Sequence, residues 1–274
     1  MAEELSITAP CDLDPESASF YRQVLETLNA AGVPFLVGGA YAFTCYTGIE
    51  RQTKDLDLFI RRRDYEAAEA ALQAAGWQTE LSFPHWLGKV YAGSAFVDLI
   101  FNSGNGLTET DDDWFRHACD AEVLGVPVGL CPAEETIWSK AFIMERERHD
   151  GADVAHLLRA RAGQLDWQRL VDRFGRHWRV LLSHMVLFGY IYPAERRLVP
   201  AWVMDSLLGR LREEIHAPPP DHKLCAGTLL SREQYLQDVE QQGYQDGRVF
   251  PFGKMSENDV AEWTRAIPDR QKAD

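Results

Sequence analysis

The chain has 274 residues, of which 46% are hydrophobic and 26% are charged, and its formal net charge is -14 at pH 7. This is the composition of a folded globular protein, and the length allows one large domain or two modest ones. So acidic a surface repels phosphate backbones and excludes broad, sequence-independent nucleic-acid binding. No apolar run approaches the ~18 residues of a transmembrane helix, so we expect no membrane association.

The cysteines and the N-terminal segment bear on the compartment. The cysteines are odd in number, widely spaced and without a C-x-x-C pair; they are Cys11, Cys45, Cys119, Cys131 and Cys225. This favours reduced thiols in a cytoplasmic protein over a disulfide framework or a zinc site. Residues 1–14 are acidic and lack an apolar signal core, so we expect a flexible leader there.

Helix and strand patterns alternate through the first half of the chain. A helix is predicted over 15–31, with Asp14 as its N-cap and Gly32 just past its end. Period-two and apolar runs then predict strands, and helical spacing predicts helices between them. In chain order we predict a strand at 33–37, a short helix at 40–47, a strand at 55–60, a helix at 64–75, strands at 77–83, 86–92 and 95–101, and a hairpin at 121–131.

The second half of the chain is predicted to be mostly helical. Pro132 stands where a first helical turn tolerates proline, and the aromatic and aliphatic stripe from Trp167 to Leu182 is expected to pack in a core rather than to stack bases. A second apolar stripe contains Trp202. We therefore expect a core domain at 15–131, a helical region at 132–215 that completes a cleft, and an extension of unassigned role at 216–274.

Two aspartates in the apolar strand "DLDLFI" carry the strongest chemical signal. Asp55 and Asp57 are two residues apart, so both side chains point to one face of the strand. Two buried carboxylates raise each other's pKa unless a cation neutralises them, and oxygen-only ligands favour Mg²⁺ or Mn²⁺. Asp98 is a third carboxylate centred in an apolar strand, "AFVDLIF". If the two strands are neighbours, the three carboxylates form a site for two metal ions, as in phosphoryl and nucleotidyl transfer.

Glycines and polar residues near these aspartates suggest a phosphate site. Gly38 and Gly39 follow a strand and precede a helix, where backbone N–H groups and the helix dipole attract phosphate. Arg51 and Thr53 could add a positive charge and a hydroxyl. The alternatives are that the glycines form only a tight turn and that the aspartates face water at a sheet edge or surface.

The pattern "GGA…R-x-T-x-D-L-D-L", followed by an apolar strand with one Asp, resembles the nucleotidyltransferase superfamily that includes DNA polymerase β. It is most similar to the AbiEii-like toxins, the MNT-type proteins and the aminoglycoside nucleotidyltransferases. The resemblance implies an α/β (α+β) fold, with a small mixed sheet flanked by helices and a helical region after it. It also implies that Asp55 and Asp57 bind both metals, that Asp98 binds the catalytic metal and accepts a proton, and that Gly38 and Gly39 hold the triphosphate.

The resemblance continues in "PAEETIWSKAFIMERERHDGADVAHLL" (132–158). This segment is similar to a P-E…K…R…D-x-x-D helix pair in the family, which implies that Lys140 faces the nucleotide and that Asp153 orients it. A solvent-exposed lysine is the alternative. Many members carry a serine at the glycine pair, whereas this chain has Gly39 followed by Ala40, so backbone N–H groups would have to bind the phosphates.

The implied activity is transfer of a nucleoside monophosphate from a nucleoside triphosphate to an acceptor, with release of pyrophosphate. The acceptor would be a small molecule, a protein or a tRNA end. The alternative is a nucleotidyltransferase-like module that binds nucleotide or acts in a toxin–antitoxin pair without turnover. A metal-dependent phosphohydrolase, suggested by "HD" at His149-Asp150 with His156, lacks suitable further ligands, because His85 and Asp153 are poor substitutes. "DDD" at 111–113 is predicted to be a solvated loop and helix cap.

Overall fold

The computed structural model of this chain describes residues 5–7, 13–51, 53 and 55–267. Most of the leader expected at 1–14, together with Cys11 and residues 268–274 of the C-terminal extension, lies outside the described residues. The chain divides into two compact units, one that runs through Pro132 and one that begins at Ala133.

The first unit is a mixed β-sheet with helices packed against it. In chain order its elements are β1 (Leu5–Ile7), α1 (Pro15–Ala30), β2 (Leu36–Val37), α2 (Gly39–Thr47), β3 (Asp55–Phe59), α3 (Tyr65–Ala74), β4 (Gln78–Phe83), β5 (Leu87–Ala92), β6 (Ala95–Ile100), α4 (Asp112–Arg116), β7 (Cys119–Val123) and β8 (Val126–Leu130). The expected α/β class, with a mixed sheet and flanking helices, is confirmed. Leu5–Ile7 pairs with β7 as an edge strand. We did not expect this strand within the leader, because three residues are too few to show a periodicity.

The order of the strands places β3 near the middle of the sheet. Among the described residues the sheet has eight strands in the order β1-β7-β8-β2-β3-β6-β5-β4. Strand β3 runs antiparallel to β2 and parallel to β6, and β6 runs antiparallel to β5. The sheet is wider than expected because the β7–β8 hairpin joins it through β8, which pairs with β2.

Helix ends in the first unit follow the predicted capping residues. The Asp14 carboxylate accepts hydrogen bonds from the backbone N–H groups of Glu16 and Ser17, which lack partners within α1. Helix α2 ends at Gly48, whose φ of 68° lies in the left-handed region that glycine adopts most readily. Helix α1 contacts α3 and strands β6 and β8 through a buried apolar face, so the helices cover the sheet that carries the aspartates.

The second unit is a bundle of helices with one short strand pair. Its elements are α5 (Ala133–Ala141), α6 (Gly151–Arg161), α7 (Trp167–Phe174), α8 (Trp178–Ile191), α9 (Ala201–His216), β9 (Leu224–Cys225), α10 (Leu236–Gln242), β10 (Gln245–Asp246) and α11 (Glu257–Arg265). The stripe from Trp167 to Leu182 is buried, as expected of a packed core. Trp202 is different: it is 46% exposed, and α9 buries only Val203 and Leu207. Across the described residues, no helix combines the length and apolar character that a membrane crossing requires.

Candidate active site

Three carboxylates converge on one face of the sheet in the first unit. Asp55 and Asp57 are on β3, and Asp98 lies on the neighbouring parallel strand β6, directly opposite Asp57 in the register. Each of the three offers one carboxylate oxygen, and these oxygens all lie within 4.8 Å of one another. The structure therefore brings together the three aspartates that the sequence singled out.

The local sequence explains why the carboxylates share a face. Side chains alternate along a strand, so the residues between the aspartates point the opposite way. Leu56 and Leu58 of β3 are fully buried, and so are Val97 and Leu99 of β6. Burying these apolar side chains fixes the register of both strands, because a slip by one residue would turn every leucine toward the aspartate face.

A lysine from a third strand neutralises part of this negative charge. Lys89 on β5 lies opposite Asp98 in the antiparallel register, and its Nζ donates a hydrogen bond of 2.5 Å to Asp98 Oδ1. Asp98 is only 9% exposed. Burial raises the pKa of Asp98 above its ordinary value; Lys89 opposes that rise and Asp55 adds to it.

The field of the carboxylates extends to a buried tyrosine on α1. Tyr21 is 1% exposed. Burial, together with the negative charges of Asp55, Asp14, Asp98 and Asp57, raises the pKa of its hydroxyl to about 12. Burial is the largest cause of this rise, and the three carboxylates add to it.

The donor set fits a hard divalent cation. Carboxylate oxygens are the ligands that Mg²⁺ and Mn²⁺ prefer. Oxygens on opposite sides of a Mg²⁺ ion lie about 4.2 Å apart, because each lies about 2.1 Å from the ion. One oxygen of each of Asp55, Asp57 and Asp98 lies within 4.8 Å of the others, so the three carboxylates are close enough to be ligands of one ion.

The two glycines occupy positions where a side chain would collide with its neighbours. Gly39 has φ of +53°, and a Cβ built on it would lie 1.7 Å from Asp57 Oδ2. A Cβ on Gly38 would lie 2.3 Å from the ring of Phe59. The Gly38 N–H also donates to the Asp57 carbonyl at 2.9 Å. The glycine pair therefore seats the start of α2 against the middle of β3.

Helix α2 begins at Gly39, beside the carboxylates, and Gly38 at its N-cap position has no side chain with which to cap it. Backbone N–H groups in the first turn of a helix, together with the helix dipole, form a site that favours anions. Binding of the triphosphate by Gly38 and Gly39 stays a prediction.

Arg51 and Thr53 precede β3, and each contacts a neighbour within the first unit. Thr53 Oγ1 donates to Asp55 Oδ1 at 2.7 Å, so the hydroxyl orients that carboxylate. The Arg51 guanidinium lies 5.1 Å from the centroid of the Phe43 ring on α2. Thr53 thus positions the Asp55 carboxylate. That Arg51 and Thr53 contact the nucleotide stays a prediction.

Lys140 and Asp153 meet in the second unit. Lys140 Nζ, on α5, donates to Asp153 Oδ2 at 2.8 Å and to Asp150 Oδ2 at 3.0 Å, with both aspartates at the start of α6. Arg148 donates to both oxygens of Asp150. Burial favours a higher pKa of Asp150, but Arg148 and Lys140 outweigh it and hold that pKa below its ordinary value.

The alternative metal site at His149, Asp150 and His156 finds no support among the described residues. Among the described residues, Asp55, Asp57 and Asp98 form the single group of three metal-capable side chains, so His149, Asp150 and His156 do not make one. Asp111 caps α4, as predicted for the "DDD" segment. The four cysteines in the described ranges are free thiols.

Sequence reasoning missed two charged residues in these clusters, although signals for both were present. Ala92 pairs with Ala95 around a Gly93-Ser94 turn, and counting back three residues along each strand brings Lys89 opposite Asp98. Asp150 is the first aspartate of the D-x-x-D pattern whose second member, Asp153, was assigned to Lys140. Both signals follow from the spacing of charged residues in a strand pair or a helical turn.

Comparison with known proteins decides the family. A family model described as "Uncharacterised nucleotidyltransferase" matches residues 18–184, more than half of the chain. The chain belongs to this nucleotidyltransferase family. The suspected superfamily is therefore confirmed, and the protein is a transferase. No curated protein matches the sequence.

The fold of this nucleotidyltransferase has remote similarity to several solved structures. The antibiotic-resistance factor ANT(2'')-Ia is 16% identical, with a TM-score of 0.37, and the match covers 74% of this chain and 97% of that one. The lincomycin-bound lincosamide antibiotic adenylyltransferase LnuA is 14% identical, with a TM-score of 0.37 and coverage of 52% and 95%. JHP933 from Helicobacter pylori is 11% identical, with a TM-score of 0.36 and coverage of 75% and 97%.

Proposed function

We propose that this nucleotidyltransferase transfers a nucleoside monophosphate from a nucleoside triphosphate to an acceptor hydroxyl or phosphate in a metal-dependent reaction. The observation that carries the proposal is the convergence of Asp55, Asp57 and Asp98 on one face of the sheet, beside the start of α2. Three carboxylates in one partly buried place repel one another unless cations are present. A site built in this way is suited to a metal-bound triphosphate.

Asp55, Asp57 and Asp98 would hold Mg²⁺ or Mn²⁺, two ions in the full complex, with Asp55 oriented by Thr53. When bound, the metal supplies positive charge that offsets the negative charge of the triphosphate and of the transition state. The first-turn N–H groups of α2 would bind phosphate oxygens, because a helix N-terminus attracts anions. Gly39 allows this close approach of backbone, carboxylate and phosphate.

The chemical step moves one nucleoside monophosphate group. An acceptor oxygen attacks the α-phosphorus, a new P–O bond forms, and the bond between the α-phosphorus and the oxygen that bridges to the β-phosphorus breaks. Pyrophosphate leaves. Asp98 would accept the proton of the acceptor hydroxyl.

Lys140 is proposed to contact the nucleotide, with Asp153 and Asp150 as the carboxylates that hold its ammonium group in place. A lysine bound by two acidic side chains has few orientations, so it can offer a fixed positive charge to a phosphate. With this role for Lys140, the 132–215 region would take part in binding the nucleotide.

The test follows the label of the triphosphate. The purified chain is incubated with cell extract, Mg²⁺ and each nucleoside triphosphate in turn, labelled at either the α- or the γ-phosphate. The proposal expects α-label on an acceptor and γ-label in pyrophosphate, with both signals lost in the presence of a chelator and in the Asp57→Asn variant. Transfer of the γ-label to the acceptor, or transfer by Asp57→Asn at the parental rate, would contradict it. The class of molecule that acquires the α-label identifies the acceptor.

A further inference from the structure

We propose that Lys89 is a positioning residue of the carboxylate site: its ammonium group holds Asp98 in the metal-free protein and competes with metal for that carboxylate. The inference rests on the proposed function, because it assigns Lys89 a part at the same site. The geometry that points to it is a row of side chains across three neighbouring strands. Asp57 on β3 is opposite Asp98 on β6, and Asp98 is opposite Lys89 on β5.

The contact between Lys89 and Asp98 is short and largely shielded from water. The Nζ–Oδ1 distance is 2.5 Å, and the two side chains are 23% and 12% exposed. An ion pair of this kind is much less screened than one at the surface. The lysine stem is also held in place, because Nζ lies 4.2 Å from the centroid of the Phe96 ring, two residues before Asp98 on the same face. Ring and carboxylate together leave the ammonium group little freedom.

Lys89 changes the charge that an incoming cation meets. Three ionised carboxylates carry three negative charges, and the ammonium group cancels one of them. It also donates a hydrogen bond to Asp98 Oδ1, so that oxygen is less available to a metal ion. Without nucleotide, Lys89 therefore weakens metal binding. A metal ion that arrives with a triphosphate would bring phosphate oxygens as additional ligands, which would offset this loss.

The same contact orients Asp98 for the chemical step. A carboxylate held at one oxygen by a lysine has a fixed plane, so its second oxygen keeps one direction. Misplacing a reacting group by about 1 Å can cost on the order of 10²-fold in rate. Removing Lys89 is thus expected to lower turnover while it strengthens metal binding. Simple damage to the fold would weaken both.

The experiment compares Lys89→Met with the parent and with Lys89→Arg. Mn²⁺ binding is measured without nucleotide by electron paramagnetic resonance. Lys89→Met is expected to bind Mn²⁺ at least about fivefold more tightly, because a unit charge about 4 Å from a divalent ion changes its affinity by roughly 30-fold at the dielectric constant of water and salt screens part of that effect. Lys89→Arg keeps the charge and should stay near the parental affinity. Lys223→Met is the matched control, because Lys223 also lies over an aromatic ring, that of Tyr244, but far along the chain from the carboxylates.

A second measurement separates positioning from binding. With the identified acceptor, Lys89→Met should lower kcat by about tenfold or more, with KM for the triphosphate within about threefold of the parent. Lys89→Arg should recover part of the loss. If Lys89→Met binds Mn²⁺ no better than the parent, including binding too weak to detect in both, the inference is overturned.

The possible outcomes distinguish failure of the proposed role of Lys89 from failure of the proposed function. A parent chain that shows neither nucleotide-dependent Mn²⁺ binding nor α-label transfer contradicts the proposed function. If the parent chain shows nucleotide-dependent Mn²⁺ binding and α-label transfer, the proposed function stands. If Lys89→Met then has the parental Mn²⁺ affinity and kcat, Lys89 has no part in it.

Discussion

At the scale of the residue, Asp57 is the carboxylate on which most of the site's geometry depends. It is opposite Asp98, its backbone carbonyl accepts from Gly38, and its Oδ2 lies where a side chain on Gly39 would be. We predict that Asp57→Asn abolishes Mg²⁺-dependent triphosphate binding and is at least as stable as the parent, because one of three repelling charges is gone. Isothermal titration and thermal denaturation measure the two effects.

The control for Asp57→Asn is Glu66→Gln, which removes an exposed carboxylate paired with Arg62 in the same unit. It should leave binding unchanged. An Asp57→Asn variant that binds the Mg²⁺-bound triphosphate as tightly as the parent would mean that the metal site lies elsewhere.

We predict that Gly39 cannot be replaced, because its φ is positive and because a side chain there would collide with Asp57. Gly48 shares only the positive φ, so it distinguishes the two effects. Both ends of α2 carry a glycine in the left-handed region, but a Cβ on Gly48 would meet nothing within 4 Å, whereas one on Gly39 would lie 1.7 Å from Asp57 Oδ2. Gly48→Ala should therefore cost only the backbone strain, about 1–2 kcal/mol. Gly39→Ala should cost more and should also displace Asp57, so that triphosphate binding is lost.

Binding of a triphosphate and of the free nucleoside is compared for both glycine variants. The account expects Gly39→Ala to lose triphosphate affinity far more than nucleoside affinity, since the damage is at the phosphate and metal end. Equal losses for the two ligands, or equal behaviour of the two glycine variants, would show that Gly39 serves folding alone.

At the scale of the element, α5 is held to α7 by a buried network of charges. Glu135 is fully buried and accepts hydrogen bonds from Arg169 and Arg173, while Glu134 pairs with Arg169 and accepts from the backbone N–H of Asp166. Removing one partner of a buried ion pair leaves an unpaired charge in a low-dielectric place. This network fixes the helix that carries Lys140.

We predict that Glu135→Gln destabilises the chain by about 3–5 kcal/mol, because Arg169 and Arg173 each lose one buried anionic partner. Glu214→Gln is the matched control: Glu214 accepts from Arg179, but that pair is exposed and should contribute less than about 1 kcal/mol. Urea unfolding followed by circular dichroism measures both. A loss for Glu135→Gln as small as that for Glu214→Gln would mean that solvent reaches the network.

The turn between α7 and α8 predicts a pH dependence of stability. His177 packs edge-on against Phe142 and Phe252, and burial, with the nearby charge of Arg176, lowers its pKa from 6.5 to about 4. Between these two pH values the unfolded chain binds a proton that the folded chain does not. The contribution of His177 is therefore complete above pH 6.5 and is lost as the pH falls toward 4.

Replacing His177 with phenylalanine keeps a ring and removes the titration. The parent should lose up to about 3 kcal/mol more than His177→Phe when the pH falls from 6.5 to 4. The measurement is the urea-unfolding free energy of both chains across that range. Parallel pH profiles for the two chains would show that the imidazole is hydrated.

At the scale of the whole molecule, the sequence predicted what local patterns determine. The apolar residues next to Asp55, Asp57 and Asp98 predicted strands with one buried face, and these residues are buried in β3 and β6. Parallel pairing of β3 with β6 was only a hypothesis, because the two strands are far apart in sequence and periodicity carries no information on partners. Recognition of the family motif supplied what the pattern lacked.

Other features depend on tertiary contacts that no local pattern encodes. The edge strand Leu5–Ile7 is stabilised by backbone pairing with β7, which residue types in a three-residue segment do not reveal. Trp202 belongs to an apolar stripe but is 46% exposed, and of the α9 side chains only Val203 and Leu207 are buried. The partners of buried Glu135 come from α7, more than 30 residues away in the sequence.

The central claim is that Asp55 and Asp57 suffice to bind the metal and triphosphate, whereas Asp98 is needed for the chemical step. Replacing Asp98 tests it most directly. Asp98→Asn keeps the shape of the side chain but removes its charge and basicity, while Asp55 and Asp57 remain. With Mg²⁺-bound triphosphate affinity and pyrophosphate release measured on one preparation, the account predicts affinity within a few-fold of the parent and turnover lower by at least ~10²-fold. A variant that turns over at the parental rate would contradict the account and remove Asp98 from the active site.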